Sequence, residues 1–268
     1  MIANFKGADD FLDSLEIGSE ARILVLDANI PNAPFLLMER KGFPVMNTTR
    51  KNIENALKWN YDYIVIQNDY FISDIYSVYP EIVNRIEKIA DNRKISLFKL
   101  RPHPIETQSL SDFWKLNRES VQFNATMDYD TIVNDSYWSN VKITRDTVLS
   151  GEQGGVLVSD REYGLTFSVS DIQEWTINRP VLFISSYFLS TKISDLYLVI
   201  DLTANDEMMY FRTVDLKPYI QAEGEWEKAE FIFQLPQLSD KMSNLKVYLW
   251  NQGHNHIYLD DFSVLIYP

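Results

Sequence analysis

The chain contains no cysteine in its 268 residues. That excludes disulfides, iron–sulfur clusters and thiolate zinc sites as sources of stability or chemistry. Glycine is scarce at nine residues, and before residue 151 only Gly7, Gly18 and Gly42 occur. None of these three leads from a strand into a helix. The turn through which a backbone approaches a phosphate is therefore missing, and no nucleotide cofactor is expected. Basic residues are outnumbered, 25 Lys and Arg against 38 Asp and Glu, for a formal charge of -13. This argues against nucleic acid or anionic lipid as a partner, because phosphate binding needs a basic surface. No run approaches the roughly 18 apolar residues of a membrane span. The opening MIANFKGADDF lacks the apolar stretch of an export signal, so taken as it stands the chain reads as soluble and cytoplasmic. Histidine occurs three times, and no Ser-His-Asp arrangement can be read.

Aromatic residues, by contrast, are abundant, with 15 Tyr, 15 Phe and 6 Trp. They favour strands and supply flat apolar faces. The length suits two domains, and the two halves follow different patterns. Up to about residue 100, short apolar strands (22–27, 43–46, 63–66, 94–100) alternate with helical segments (9–15, 34–40, 52–59, 80–90). Continuous apolar strands between helices indicate a parallel sheet covered on both faces. Residues 105–127 read as a polar connector, helical over 110–117. Beyond them the pattern becomes strands separated by turn residues: 155–158, 164–169, 180–189, 195–203, 208–216, 229–235, 245–251 and 257–266. The expected fold is a small three-layer α/β domain with a mainly parallel sheet (1–104), followed by an antiparallel jelly-roll β-sandwich (128–268).

The last stretch, LKVYLWNQGHNHIYLDDFSVLIY, reads as a hairpin turning at residues 251–255. Its second strand carries Asp260 and Asp261 where apolar residues belong, and a carboxylate set into a core strand must be paired, hydrogen-bonded or bound to a cation. Asp128 and Asp130 open the sandwich, and first and last strands of a jelly roll can be neighbours. The four acids are thus a candidate calcium site, helped by a carbonyl of the 151–155 turn. A solvated acidic edge is the alternative. Strand alternation sets Tyr197, Asp201, Tyr210, Arg212, Tyr248 and Trp250 opposite the core-type positions. Aromatic faces beside polar donors suit a saccharide, apolar above and below and hydroxylated at its rim. The candidate contacts, in order, are Trp250, Tyr248, Tyr210 and Arg212. His254 and His256 read as parts of a solvated turn, and Glu223, Glu225 and Glu227 as a solvated edge. In the first half the strand ends carry Asp27 and Asn29, then Gln67, Asn68 and Asp69. Helix capping and loop solvation explain them, with a polar substrate site as the alternative. Triplets at Asn47, Asn124 and Asn134 fit the glycosylation pattern.

Ser150-Gly151, the run from Glu162 to Phe167, Gly224-Glu225-Trp226 with residues 231–236, and Ile257-Tyr258-Leu259-Asp260-Asp261-Phe262 resemble the β-jelly-roll carbohydrate-binding modules over 128–268. The resemblance implies a structural calcium held by one acid of the first strand, Asp130 or Asp128, and one of the last, Asp261 or Asp260. That family more often carries Phe-Glu where Asp130 stands. The stretches ARILVLDANIPNAPFLLMERKGFPV and YDYIVIQND are similar to the soluble tail after the membrane spans of bacterial glycosyltransferases of the protein-mannosyltransferase and aminoarabinose-transferase type. This implies an extracytoplasmic, periplasmic-side fragment partnered by a carbohydrate or glycolipid and by the membrane spans of its parent. The catalytic carboxylates of such enzymes lie in the membrane part, so no catalytic residue carries over. The expected function is therefore a non-catalytic glycan- or lipid-linked-sugar-binding accessory region. A structural or protein-docking module is the alternative.

Overall fold

The computed structural model describes residues 2–27, 30–131, 136–170, 179–205, 207–237 and 243–268. Asn29 and the Asn134-Asp135 pair of one glycosylation triplet lie outside them. The chain divides into two compact units, 1–116 and 117–268.

The first unit runs α1 (Ala8–Ser14), β1 (Arg22–Leu26), α2 (Ala33–Met38), β2 (Lys41–Val45), α3 (Arg50–Ala56), β3 (Tyr63–Gln67), α4 (Ile82–Arg85), β4 (Ile86–Asp91), β5 (Ile95–Leu100) and α5 (Leu110–Phe113). Its sheet has the order β2-β1-β3-β5-β4. β1 lies parallel to β2 and to β3, whereas β5 is antiparallel to β3 and to β4. The sheet is therefore mixed, and the expectation of a mainly parallel one is corrected. The cause lies at residues 80–90, expected as one helix. Only α4 is helical, and the chain continues as β4, with Ile86 and Lys88 buried and Glu87 and Ile89 exposed. Ile82, Val83, Ile86 and Ile89 satisfy a helical spacing, but β-branched residues beside the open edge of β5 gain more from strand pairing. Lys88 tolerates burial because its ammonium meets Asp91 at 2.6 Å and lies 4.5 Å from the centre of the Trp114 ring.

One face of this sheet, with Ile23, Val25, Val65, Ile95 and Leu97, packs with Leu12 and Met38 of α1 and α2. On β5, Phe98 projects to the opposite face and stacks on Phe113 at 5.6 Å, while Phe71 meets Phe113 at 5.5 Å and Trp114 at 4.9 Å. Phe113 and Trp114 come from the segment expected as a connector. Its first part closes the core of the first unit, and its last part is a strand of the second.

The second unit contains β6 (Phe123–Met127), β7 (Trp138–Ser139), β8 (Ile143–Thr144), β9 (Gly154–Leu157), β10 (Tyr163–Val169), β11 (Val181–Leu189), β12 (Leu196–Ala204), β13 (Glu207–Asp215), β14 (Trp226–Gln234), β15 (Ser243–Asn251) and β16 (Ile257–Tyr267). They form two antiparallel sheets, β13-β12-β15-β10-β7 and β14-β11-β16-β9-β8, with β6 also paired to β16. Phe167 of the first sheet meets Phe123 of the second at 5.7 Å, and Trp138 meets Phe262 at 5.8 Å. The result is the expected β-sandwich.

β15 and β16 belong to different sheets, so residues 251–256 form an arch between sheets and not the expected hairpin turn. Two buried amides replace the missing ladder. Asn251 Oδ1 accepts from the Asn255 backbone N–H and Nδ2, both at 2.8 Å, and Asn251 Nδ2 donates to Asn255 O at 2.9 Å. Asn255 then bonds both backbone groups of Ser194. A β-carbon on Gly253 would fall 1.7 Å from Ser194 O, so the arch tip must be glycine to press this close. Asn251→Ala leaves buried donors and acceptors unpaired, which costs roughly 2–4 kcal/mol. The expected outcome is earlier loss of amide-exchange protection in β12 and β15 on urea titration, with β1 and β3 unchanged.

Candidate functional site

Opposed residues of an antiparallel pair project to the same side of a sheet. Leu198 opposes Leu249 and Ile200 opposes Val247, and all four are buried. The intervening residues lie on the other side of the sheet in three rows, partly or fully exposed except for Val199, which is buried. Tyr197, Trp250 and Tyr163 form the first. Val199, Tyr248 and Thr166 form the second, and Asp201, Lys246 and Ser168 the third. Tyr197 meets Trp250 at 5.9 Å, and Tyr163 meets Tyr248 at 6.0 Å. Tyr163 is 47% exposed. Trp250 Nε1 donates to Glu162 Oε1 at 3.1 Å, which fixes the edge of the indole. The first row crosses three strands, a platform about 10 Å wide. The phenols stay protonated and keep a donor: burial raises Tyr197 and Tyr248, and the neighbouring Glu162 charge raises Tyr163. Asp201 Oδ1 is buried with no hydrogen-bond partner among the described residues. Such a surface can hold a molecule with a flat apolar face and a hydrogen-bonding rim.

Four of the six expected contacts, Tyr197, Asp201, Tyr248 and Trp250, share this face. Tyr210 and Arg212 do not. They oppose Leu202 and Ile200, whose side chains enter the core, so they lie on the inner side of edge strand β13. Tyr210 is 8% exposed, and the Arg212 guanidinium covers its ring at 4.7 Å. The residues of β13 opposite the outer rows are Phe211, Thr213 and Asp215. The sequence held the signal, because buried Val214 and Leu216 have the same parity as Tyr210 and Arg212. Tyr163, missed as a contact, carried no alternation signal because β10 is irregular between Tyr163 and Thr166.

The acids from the two ends of the sandwich do gather. Asp260 is 0% exposed. Its Oδ2 accepts the backbone N–H groups of Leu149 and Ser150, both at 3.1 Å, and its Oδ1 that of Asp261 at 3.0 Å. Asp130 Oδ1 accepts those of Glu152 and Gln153 at 2.8 Å. Two carboxylates thus grip one turn, and Gly151 at φ 71° is the residue that lets it close, because a β-carbon there would overlap Asp130. Asp128 is held below the usual carboxylate range by the Thr131 hydroxyl and N–H. Asp261 is raised, first by burial and then by the charges of Asp260, Asp128 and Asp130. Among the described residues no group of three His, Cys, Asp or Glu side chains is set to hold a metal ion. The Asp-Asp pair has a clear backbone role. Asp261, at φ 49°, and Phe262 stand against the single Ser186, a β-bulge that shifts the buried apolar positions from 257 and 259 to 262, 264 and 266. Ser186 Oγ donates to Asp260 O at 3.0 Å across it.

At the ends of β1 and β3, Asp27 caps no helix, contrary to the capping expectation. It sits at φ 62°, 7% exposed, with Oδ2 unpaired among the described residues. Its carbonyl accepts from Gln67 Nε2 at 2.9 Å. Burial, reinforced by the Asp74 charge, raises its carboxyl from 3.8 to about 7. Asn68 is also buried, its Oδ1 accepting from Ser96 Oγ at 2.7 Å. This strand end can exchange a proton near neutrality.

His254 Nδ1 lies 3.0 Å from Ser159 O, and His256 packs on Tyr258, so the two imidazoles serve separate contacts. Glu227 accepts the N–H groups of Gln221 and Ala222 and braces a loop. That loop, with residues 190–193, encloses a cavity of about 530 Å³ floored by Ile193, Pro218 and Ile220.

No family model matches the chain, and no curated protein matches it. Among solved structures it is similar to the N-terminal CBM22-1-CBM22-2 tandem domain of Paenibacillus barcinonensis Xyn10C, at 16% identity and TM-score 0.38, over 55% of this chain and 46% of that one. It is also similar to the C-terminal family 22 carbohydrate binding module of Clostridium thermocellum Xyn10B, at 10% identity and TM-score 0.35, over 56% of this chain and 97% of that one. A cyclase from Fischerella sp. TAU matches at 10% identity and TM-score 0.30, over 49% and 73%. Likeness at this level leaves any function to be argued from the side chains themselves.

Two expectations follow. Asp260→Ala strands buried N–H donors of the 149–150 turn, at a cost of about 3 kcal/mol or more, read as a lowered melting temperature. For Asp27, the folded chain retains a proton up to about pH 7 that the unfolded chain releases near 3.8. Its contribution to stability is therefore greatest below 3.8, falls as pH rises toward 7 and is level above. Urea midpoints of the first unit across this range should show that fall, and Asp27→Asn, which tolerates the left-handed backbone, should flatten it.

Proposed function

We propose that the second unit binds a carbohydrate chain on the solvent side of its β13-β12-β15-β10-β7 sheet, as a recognition surface without catalysis. The observation that carries this reading is the row Tyr197–Trp250–Tyr163 with Tyr248 beside it, bordered by Glu162, Asp201 and Lys246. The rings offer apolar area to sugar C–H faces, and the phenols, carboxylates and ammonium offer partners to hydroxyls. The width of the row favours an oligosaccharide over one ring. The finer reading is an accessory region of an envelope glycosyltransferase, acting on a glycolipid on the periplasmic side. It rests on sequence likeness alone. Among the described residues no helix is long and apolar enough to cross a membrane.

A calcium ion at the acid cluster belongs to the same proposal. Asp261, whose carboxyl is raised by burial and by the charges of Asp260, Asp128 and Asp130, is where a cation would bring relief. On this proposal, EDTA lowers the melting temperature, calcium restores it, and Asp261→Ala abolishes the response. A melting curve indifferent to chelator removes calcium from the account.

Isothermal titration with xylohexaose, cellohexaose, chitohexaose and mannohexaose tests the surface. At least one should bind saturably, and Trp250→Ala should weaken it tenfold or more, about 1.4 kcal/mol. Tyr210→Phe, on the inner side, should leave affinity unchanged. Silence across the panel by the folded protein overturns the reading.

A further inference from the structure

We propose that the first unit carries a separate site for a single neutral sugar ring, in the cavity between the end of β2 and the outer side of α3. The cavity is about 250 Å³ and is lined by Val45, Met46, Asn47, Asn52, Asn55 and Trp59, with Pro44 at its side. That falls below the roughly 300–1,000 Å³ of sites for larger organic ligands, which points to one ring and not a chain.

Local structure builds the site. Thr49 caps α3 by accepting the Asn52 N–H, which starts the helix immediately after β2. Asn52, Asn55 and Trp59 then follow at spacings of three and four, so they lie along one side of the helix and the turn that continues it. Ile53, Ala56 and Leu57 turn inward and are buried. Trp59 is 45% exposed although its ring packs on Phe43 at 5.6 Å and 60°. That contact fixes the plane of the indole and leaves the rest of the ring to the cavity. Asn52 Nδ2 donates to Asn47 O at 2.8 Å, which ties the loop to the helix.

The chemistry of the lining selects the ligand. Among the described residues no charged side chain lines the cavity, so an ionic ligand finds no ion pair there. Asn47 and Asn55 place primary amides at its wall, and each amide both donates and accepts, matching the dual character of a hydroxyl group. An indole platform faced by amides complements a pyranose, with one apolar face and a hydroxylated rim. Hydrophobic fragments would leave the amides unpaired. The inference does not require the sandwich surface to bind anything. If both sites act, a glycan-bearing surface would engage the chain at two points and gain avidity.

The test uses the full chain and four probes: the methyl glycosides of xylose, glucose, galactose and mannose. Indole N–H resonances are followed by NMR, with Trp59 assigned through Trp59→Phe. At least one glycoside should shift the Trp59 resonance saturably, with a dissociation constant of about 1–50 mM (roughly 2–4 kcal/mol of binding). Asn55→Ala and Asn47→Ala should each weaken the response at least threefold, while Trp250→Ala leaves it intact. No saturable shift at Trp59 with any probe overturns the proposal, as does a shift indifferent to both asparagine variants. A response confined to Trp250 overturns it while sparing the sandwich reading, and one confined to Trp59 supports it, the sandwich reading being judged by the hexasaccharide titrations alone.

Discussion

The register between β12 and β15 governs the rest of the second unit. Setting Leu198 against Leu249 and Ile200 against Val247 commits those positions to the core. The same register sends Tyr197, Trp250, Tyr248 and Asp201 to the other side, because side chains alternate without exception along a regular strand. A slip of one residue would bury Lys246 and expose Val247 and Leu249, an exchange that hydrophobic burial forbids. The aromatic surface is therefore fixed by the core behind it and needs no interaction of its own to be displayed.

What holds this register in a strongly acidic chain is a set of polar groups used as fixtures, with Asp260, Asn251 and Asn255 buried and Asp130 exposed. Asp260 and Asp130 gather backbone N–H donors from one turn, and Asn251 with Asn255 locks the arch that carries the chain from one sheet to the other. Each satisfies groups that would otherwise be stranded. The Asp260 bond to the Leu149 N–H spans 111 residues and the Asn255 bonds to Ser194 span 61, so they tie distant parts of the sandwich together, which local pairing would not do. The bulge at Asp261 belongs with them, since it returns the rest of β16 to the correct parity.

Much of this architecture was legible in the residues. The change from helix–strand alternation to strands, the apolar runs of β1 and β3, and the alternation of β12 and β15 predicted a two-part chain ending in a sandwich. Four of the six residues expected on one face, Tyr197, Asp201, Tyr248 and Trp250, lie on it by the same alternation. The failures share a cause. Residues 80–90 fit a helix and a strand about equally, and only the open edge of β5 decided the outcome. Alternation separates Tyr210 and Arg212 from Phe211 and Thr213, but the expectation set the wrong side of β13 outward, although the parity of buried Val214 and Leu216 sets Tyr210 and Arg212 inward. Asn251-Gln252-Gly253 has the composition of a hairpin turn, and composition does not reveal whether two flanking strands pair or part. Asp260 announced a buried carboxylate, but which partners it would find depended on contacts more than a hundred residues away.

The central claim is that Tyr163, Tyr197, Tyr248 and Trp250 form one solvent-facing surface while Tyr210 faces inward. Hydroxyl-radical footprinting with mass-spectrometric readout addresses it directly, because aromatic side chains react according to their exposure. Rapid oxidation of Tyr163, Tyr197 and Trp250, with slow oxidation of Tyr210 and Phe262, is the predicted result. Rapid oxidation of Tyr210 together with protection of Tyr197 and Trp250 in the folded chain would contradict it.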